Sequence, residues 1–393
     1  MEHWLKRTWA EIDLDALSEN FKQIRKKVSP GCRIMGIVKA DAYGHGAAEA
    51  ARTLRKAGAD WFGVSNIEEA IQLRQEGITE PILILSYTPV EEAARLTSFN
   101  LTQTVVSAEY GKRLNAQAEK ANVRVLVHIK VDTGMSRVGF FYHDVHKDLQ
   151  AVEEIAEIAS LTNLNAQGIF THFAVSDEQE GEEFTRTQFN CFRDLISKLR
   201  DRGITFPLKH CCNSAATLLY PEMHMDMVRP GLILYGMTPS DYLKDIIPLK
   251  PVMALKTKIS MVKQVPMGET VSYGRIYTTS EEETLATVPI GYADGYSRRL
   301  SNRAYMLIHG HRVPVVGRIC MDQCMLDVTG ISNIQADDTV VVFWCDEGGC
   351  ISVEEFASWS DTINYEAVCE IGKRVPRLFI KDGTVVGQLN YIV

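Results

Sequence analysis

No stretch of the 393-residue chain stays apolar for the ~20 residues that a membrane-crossing helix needs. The first residues, Met1 to Ala10, carry no apolar segment of the signal-peptide kind, so a protein retained in the cytoplasm is expected. Positive charge is not in excess: 42 Lys and Arg against 50 Asp and Glu give a net charge of -8. That balance argues against a nucleic-acid partner, because binding a phosphate backbone needs clustered cations. The nine cysteines are odd in number and scattered, with Cys211 and Cys212 adjacent in an apolar run. They do not form the framework of a small secreted domain, and a reducing compartment is expected. Cys320 and Cys324 have no second Cys or His pair at zinc-ligand spacing, and His45 and His128 have no paired ligand. No metal is therefore expected, and these residues default to structural roles. No repeat or low-complexity segment is visible.

What is present is an ordinary globular composition, 46% hydrophobic and 23% charged. At roughly 150 residues per domain the length predicts two or three domains with a sizeable core. Leu14, Leu17, Phe21, Ile24 and Val28 recur near a period of ~3.6 residues, the signature of an amphipathic helix. Short apolar runs of strand type then follow at Arg33 to Ala40, Trp61 to Ser65, Ile82 to Ser86, Leu101 to Ser107, Val123 to Val131, Ala166 to Phe173, Leu208 to Ser214 and Met227 to Tyr235. Helical patterns such as Gly46 to Ala57, Ile67 to Gln75 and Phe184 to Leu199 lie between them. Eight near-continuous apolar strands alternating with helices predict an α/β fold, a (β/α)8 TIM-type barrel over 12–245. The rival doubly wound sheet is disfavoured, because Gly44-His45-Gly46 is followed by Glu49 where the dinucleotide fingerprint needs a glycine.

After Asp245 the texture changes to strand-like runs and turns: Leu255 to Val265, Thr284 to Val288, Tyr305 to Ile308, Arg312 to Val316, Met325 to Val328 and Thr339 to Trp344. Two helical stretches, Ser352 to Ser358 and Tyr365 to Gly372, interrupt them. A mostly β C-terminal domain over 246–393 is expected, with residues 1–11 packing on it.

Lys39 stands at the carboxyl end of the first apolar strand of this barrel, the end at which barrel enzymes place their chemistry. A desolvated lysine there can act as a nucleophile or base and can form a Schiff base with an aldehyde cofactor; the bland alternative is a lysine extending from a strand end into water. The run Val38 to Gly46 around it resembles the cofactor-lysine signature of the alanine racemase family, a fold-type III group of pyridoxal-phosphate enzymes. Lys130 to Arg137, Thr171 to Ala174, Asn213-Ser214, Arg229 to Gly231, Val271 to Gly274, Gly291 to Gly295 and Gly317 to Asp322 resemble further motifs of that family, in its order and across nearly the whole chain.

The resemblance implies pyridoxal 5'-phosphate held by Lys39, with Tyr43, Asn213, Ser214, Gly231, Leu232 and Tyr365 around its phosphate, and it places His172 between Tyr273 and Arg229. Backbone N–H groups at turns and helix starts, with hydroxyl donors, suit an anion. A helix N-cap at Ser214 is compatible with that role, and Gly231 could be only a turn glycine. Arg229 resembles the residue that donates to the pyridine nitrogen, and a guanidinium that keeps its proton leaves that nitrogen unprotonated and the cofactor a weaker electron sink. A strand-end salt bridge is its plain alternative.

Racemisation needs a base on each face of a planar intermediate. The resemblance assigns Lys39 to the D-face and Tyr273 to the L-face, with Tyr273 coming from the other subunit of a homodimer. It also implies Arg137, Met321 and Tyr292 near the substrate carboxylate, although Met321 and Tyr292 could be plain β-domain core. Lys130 has the spacing of a lysine that can be carbamylated to hold Arg137, and Asp177, Arg298 and Arg318 match an access corridor. The implied activity is interconversion of L- and D-alanine, with D-alanine supplied for cell-wall synthesis. Tyr273 and Tyr365 beside the side chain favour alanine over serine. A racemase of larger amino acids, a non-catalytic cofactor carrier and a decarboxylase are the alternatives.

Overall fold

The computed structural model describes residues 6–346 and 348–393; of the N-terminal stretch 1–11, residues 1–5 lie outside the described residues. The chain divides into two compact units. One takes Leu17–Ala42 and Ala47–Lys250, and the other takes the described residues up to Ala16, Tyr43–Gly46 and Pro251–Val393. Strand β1 (Thr8–Asp13) belongs to the second unit.

The first unit is the barrel that the alternation of apolar runs predicts. Its strands are β2 (Arg33–Ile37), β3 (Trp61–Val64), β4 (Ile82–Ile84), β5 (Leu101–Val105), β6 (Val125–Asp132), β7 (Leu164–Phe170), β8 (Leu208–His210) and β9 (Met227–Val228). They are hydrogen-bonded in the order β9-β2-β3-β4-β5-β6-β7-β8, all parallel. Backbone bonds from Asp226 N to Lys209 O (3.0 Å) and Arg229 N to Cys212 O (3.0 Å) join the last strand to the first and complete the ring. β3, β4 and β5 are buried at every position, as a parallel sheet covered on both faces requires. The helices between strands carry their own start signals: Asn66 accepts from Glu69 N at the head of Ile67–Gln75, and Ser107 accepts from Tyr110 N at the head of Ala108–Lys120. The β6–β7 register slips between Val127 and His128, and a Cβ on Gly168 would stand 2.6–2.8 Å from His128 ring atoms. Only glycine leaves that ring room inside the barrel.

The first strand ends earlier than its apolar run suggests. β2 stops at Ile37, and Ala40, Asp41 and Ala42 adopt left-handed helical geometry, with φ of 51, 54 and 56°. Such geometry costs about 1–2 kcal/mol per residue for L-amino acids, so it persists only where partners impose it. Here Glu69 accepts from Ala40 N (2.8 Å) and Ser65 N (2.7 Å), Asp41 accepts from Ala47 N (2.8 Å), and Ala42 N donates to Val38 O (2.9 Å).

The second unit is mostly β. Beyond β1 it contains β10 (Met253–Lys258), β11 (Met261–Val265), β12 (Glu283–Val288), β13 (Tyr305–Ile308), β14 (His311–Val316), β15 (Cys324–Asp327), β16 (Thr339–Asp346), β17 (Arg377–Lys381) and β18 (Thr384–Leu389). Their order is β11-β12-β15-β14-β13-β16-β10-β1-β17-β18. β1 runs antiparallel to β10 (Thr8↔Thr257) and parallel to β17 (Ala10↔Arg377). The single run expected from Leu255 to Val265 is two strands, because Ile259 N bonds Asp338 O and Ser260 N bonds Thr287 O, turning the chain between them. Helices at Val353–Trp359 and Asn364–Cys369 interrupt the strands; the second stops short of Gly372, whose N–H goes to Asp294 O instead. Two of the cysteines, Cys345 and Cys350, face each other across a hairpin, 4.1 Å apart at Cα. Among the described residues no helix is long and apolar enough to cross a membrane.

Arg377 on β17 is 2% exposed and anchors this unit. Its guanidinium donates to the carbonyls of Gly44 (2.9 Å), Gly372 (2.7 Å), Val375 (2.5 Å) and Ile371 (2.6 Å). Arg377→Met would leave these carbonyls without their donors and should lower unfolding free energy by about 3 kcal/mol, read from urea denaturation. Arg303→Met, which removes an exposed pair with Asp361, should leave the midpoint unchanged; equal losses would contradict this account.

Candidate active site

The candidate residues of the barrel gather at the carboxyl ends of its strands. Lys39 follows β2, Arg137 and His172 follow β6 and β7, Asn213 and Ser214 follow β8, and Arg229 and Gly231 follow β9. Lys39 is half-buried at the head of the left-handed turn. Barrel loops at this end carry chemistry, and backbone strain collects at such places.

Arg229 is the hub. It is 4% exposed, and its guanidinium donates to His210 Nδ1 (2.9 Å), Thr171 O (2.9 Å), Cys211 O (3.0 Å) and His172 Nδ1 (3.2 Å). Every one of these acceptors is neutral. Burial pulls its pKa down to about 10, against the opposing pull of Cys211 and Cys212, so it remains a cation at neutral pH. Among the described residues no carboxylate pairs with it, so the salt bridge considered from sequence is not what holds it. An uncompensated buried cation costs stability, which marks a site built to meet something else.

The surroundings reinforce that positive field. Burial, then Arg229, Lys130, Arg137 and Lys39 in turn, push His172 well below its ordinary value, so the ring is neutral. Lys130 is 4% exposed; burial, with Arg229 and Arg137 and against Asp132, lowers its ammonium to about 7. Its Nζ donates to Val131 O (2.6 Å) and lies 5.6 Å over the Phe170 ring, which Arg229 also approaches at 5.4 Å. Asp132 shapes the following loop: Oδ1 accepts from the N–H groups of Gly134, Met135 and Ser136, and Oδ2 from Arg137 N. Burial alone would raise this carboxyl, but those N–H groups and His143 outweigh it and lower its pKa. The backbone of Arg137 is thereby fixed while its side chain is exposed.

Two turns lie together beside Arg229. Gly231 N donates to Ser214 Oγ (2.9 Å), and Asn213 Oδ1 accepts from Ala216 N (3.0 Å) and Ser176 Oγ (2.9 Å). The Ser214 hydroxyl keeps its proton for a further acceptor, and Leu232 begins a 3-10 turn just beyond Gly231. Among the described residues no group of acidic, His or Cys side chains could hold a metal.

The second unit carries the other candidates. Tyr43 and Tyr365 stack obliquely, 6.1 Å between centroids, and burial raises the Tyr43 phenol well above its usual value, so it is a donor. Tyr273 is 68% exposed on a tight turn where Ser272 has φ of 64° and donates Oγ to Arg318 O (2.6 Å). Tyr292 and Met321 are also exposed, so neither is the core residue that its motif alone allows. Their loops are stitched together: Tyr292 N bonds Cys320 O (3.1 Å) and Ala293 N bonds Met321 O (3.0 Å). A Cβ on Gly291 would stand 2.4 Å from both acceptor oxygens. Asp294 beneath them is fully buried, accepts from Gly291 N (3.0 Å) and pairs with Arg7 (2.5 Å). Of the corridor candidates, Arg298 is exposed, Asp177 and Arg318 are half-buried, and Asp177 O accepts from Ser240 Oγ.

Sequence reading passed over His210, which touches Arg229, and Asp294 with Arg7, which hold the Tyr292 and Met321 loops. The Gly-Tyr-Ala-Asp-Gly motif contained Asp294 but gave no sign of its partner some 290 residues earlier.

Comparison with known proteins identifies the family. The model of the alanine racemase N-terminal domain matches residues 12–239, and that of the C-terminal domain matches residues 252–379. The alanine racemase of Desulfovibrio desulfuricans is 47% identical over 373 residues, covering 95% of this chain and 98% of that one. The solved alanine racemase of Clostridium difficile 630 superposes with a TM-score of 0.94 at 41% identity, each chain covered to 100%. That of Bartonella henselae, with covalently bound pyridoxal phosphate, gives 0.82 at 28% identity, covering 95% of this chain and 99% of that one. Two domain models in sequence order, and relatives matched from end to end, establish that the chain belongs to the alanine racemase family, isomerases acting on alanine.

Proposed function

We propose that the chain interconverts L- and D-alanine by a two-base mechanism with pyridoxal 5'-phosphate, in the cytoplasm, supplying D-alanine for cell-wall synthesis. The observation that carries this reading is Arg229, a buried cation whose acceptors are all neutral, standing beside the Ser214 and Gly231 turns at the same end of the barrel as Lys39. The donor set fits the cofactor: Arg229 offers N–H to a pyridine nitrogen and the Asn213, Ser214, Gly231 and Leu232 turns suit its phosphate, a role the resemblance extends to the Tyr43 and Tyr365 phenols. The Bartonella henselae relative holds the same group covalently.

When bound, the cofactor supplies an aldehyde for an amine and an electron sink for the carbanion at the substrate Cα. Lys39 contributes the amine and moves the proton on the D-face. Tyr273, acting from a second copy of the chain, moves the proton on the L-face. The resemblance places His172, whose Nδ1 accepts from Arg229 (3.2 Å), as the hydrogen-bond partner of that phenol. Because Arg229 gives up no proton, it leaves the pyridine nitrogen without one, which restrains transamination while permitting exchange at Cα. Arg137, with Met321 and Tyr292 from the second copy, positions the substrate carboxylate. Tyr273 and Tyr365 beside the side chain leave room for a methyl group, so alanine should exceed serine in kcat/KM.

Lys130 would carry a carbamate that steadies Arg137. Its amine is neutral above about pH 7, as reaction with CO2 requires. In the unfolded chain the same group titrates near the ordinary lysine value of 10.5. The unfolded state therefore binds the extra proton between these values, and stability should rise with pH across that window.

Lys39→Ala loaded with pyridoxal phosphate should lack the visible band of the lysine-bound cofactor; a band of equal strength in both proteins would remove Lys39 from this role. Tyr273→Phe should slow exchange of the L-alanine α-proton into D2O by about 100-fold or more, and D-alanine exchange much less. Equal slowing of the two enantiomers would contradict the facial assignment. With 13C-bicarbonate at about pH 8.5, a carbamate resonance should appear in the wild type and be absent from Lys130→Ala. Identical spectra would count against the modification.

A further inference from the structure

Arg229 is the start of a hydrogen-bond chain that runs away from the candidate cofactor site into the barrel. His210 Nδ1 lies 2.9 Å from its guanidinium, and His210 Nε2 lies 3.0 Å from His128 Nδ1. A guanidinium donates and has no lone pair to accept with. The Nδ1 of His210 must therefore present its lone pair, which puts the proton of the neutral ring on Nε2. That proton points at His128 Nδ1, which must accept in turn, so His128 also carries its proton on Nε2. One donor-only residue fixes the tautomers of two rings. The opposite tautomer of His210 would set an N–H against the N–H of Arg229.

The rings have no freedom to escape this arrangement. His210 stacks on Phe170 with centroids 4.8 Å apart and planes 3° from parallel. His128 lies 5.3 Å from the Trp61 ring and occupies the space that the missing side chain of Gly168 leaves. Both histidines are 0% exposed, and His128 Nε2, where the chain ends, has no hydrogen-bond partner among the described residues. The charged groups facing His210 are Arg229 and Lys130, and Arg229 also faces His128. Burial is the larger cause that keeps both rings from taking a further proton, and Arg229, a cation at neutral pH, acts in the same direction on each.

We infer that His210, backed by His128, is a positioning residue for Arg229: the one-way chain from Arg229 through His210 to His128 holds the guanidinium while leaving its charge uncompensated. A carboxylate in the place of His210 would hold Arg229 as firmly but would cancel the charge that the site presents. A protonated imidazole would repel it. A neutral ring with a fixed tautomer does neither. The consequence for catalysis rests on the proposed role of Arg229; the tautomer assignment does not.

The test uses the cofactor-loaded enzyme with 15N-labelled histidine, the His210 and His128 ring signals being assigned from their absence in His210→Phe and His128→Phe. Both rings should show a protonated Nε2 and a bare Nδ1, unchanged between about pH 6 and pH 9. A proton on His210 Nδ1, or a cationic ring in that range, would overturn the inference. A second arm compares substitutions: His210→Asn keeps an acceptor oxygen near the Nδ1 position, whereas His210→Phe keeps the stack on Phe170 and removes the acceptor. His210→Phe should lose about tenfold or more in kcat/KM, and His210→Asn should stay within about threefold of wild type. Equal losses would overturn the positioning role. If wild type retained the two Nε2-protonated rings yet failed to exchange the alanine α-proton, the proposed function would fall and the relay would stand.

Discussion

The buried guanidinium of Arg229 is the constraint on which the barrel's mouth is organised. Burying a cation costs several kcal/mol unless its surroundings answer it, and here the answer comes from two carbonyls and two imidazole nitrogens with no carboxylate. The choice of acceptors sets much else. Together with burial, the larger cause, it keeps both contacting histidines neutral and contributes to lowering the pKa of Lys130, and it fixes which nitrogen of each histidine holds the proton. A site organised in this way is electrophilic without being acidic, which suits moving a proton at carbon more than it suits donating one to a ring nitrogen.

The same economy runs through the scaffold. Glu69 accepts from Ala40 in the Lys39 turn and from Ser65 after β3, tying the two loops together and helping to impose a backbone geometry that alanine and aspartate would otherwise avoid. Asp132 gathers four consecutive N–H groups and shapes the Arg137 loop. Asp294, buried under Gly291, holds the segment that presents Tyr292. In each case one carboxylate, half-buried at Glu69 and buried at Asp132 and Asp294, fixes a functional loop through backbone donors and leaves the functional side chain exposed or half-buried.

Much of the barrel was legible because parallel strands buried on both faces are nearly continuous apolar runs; each of the eight expected runs overlaps a strand. Their ends were less legible. The run through Ala40 breaks at Ile37 because Glu69, far along the chain, captures Ala40 N, and no local pattern announces that. β1 went unseen because only its short half over 10–13 alternates while Thr8, Trp9 and Ala10 are buried in succession, and β18 because it lies at the sheet edge with alternate residues exposed. The Asp382-Gly383 turn between β17 and β18, with φ of 49 and 70°, was a usable hairpin signal. Within the site, His210 had no motif of its own: its partners sit 19 and 82 residues away and meet only when β6, β8 and β9 close the ring. His128, assigned a structural role from sequence, proves to be the second ring of that chain.

The protonation state of the cofactor ring tests most directly whether Arg229 organises the site in the way described. With 15N-labelled pyridoxal phosphate bound to the full-length enzyme, the ring nitrogen should give the shift of an unprotonated hydrogen-bond acceptor at neutral pH and hold it as the pH is lowered toward about 6. A pyridinium shift under those conditions would contradict the account.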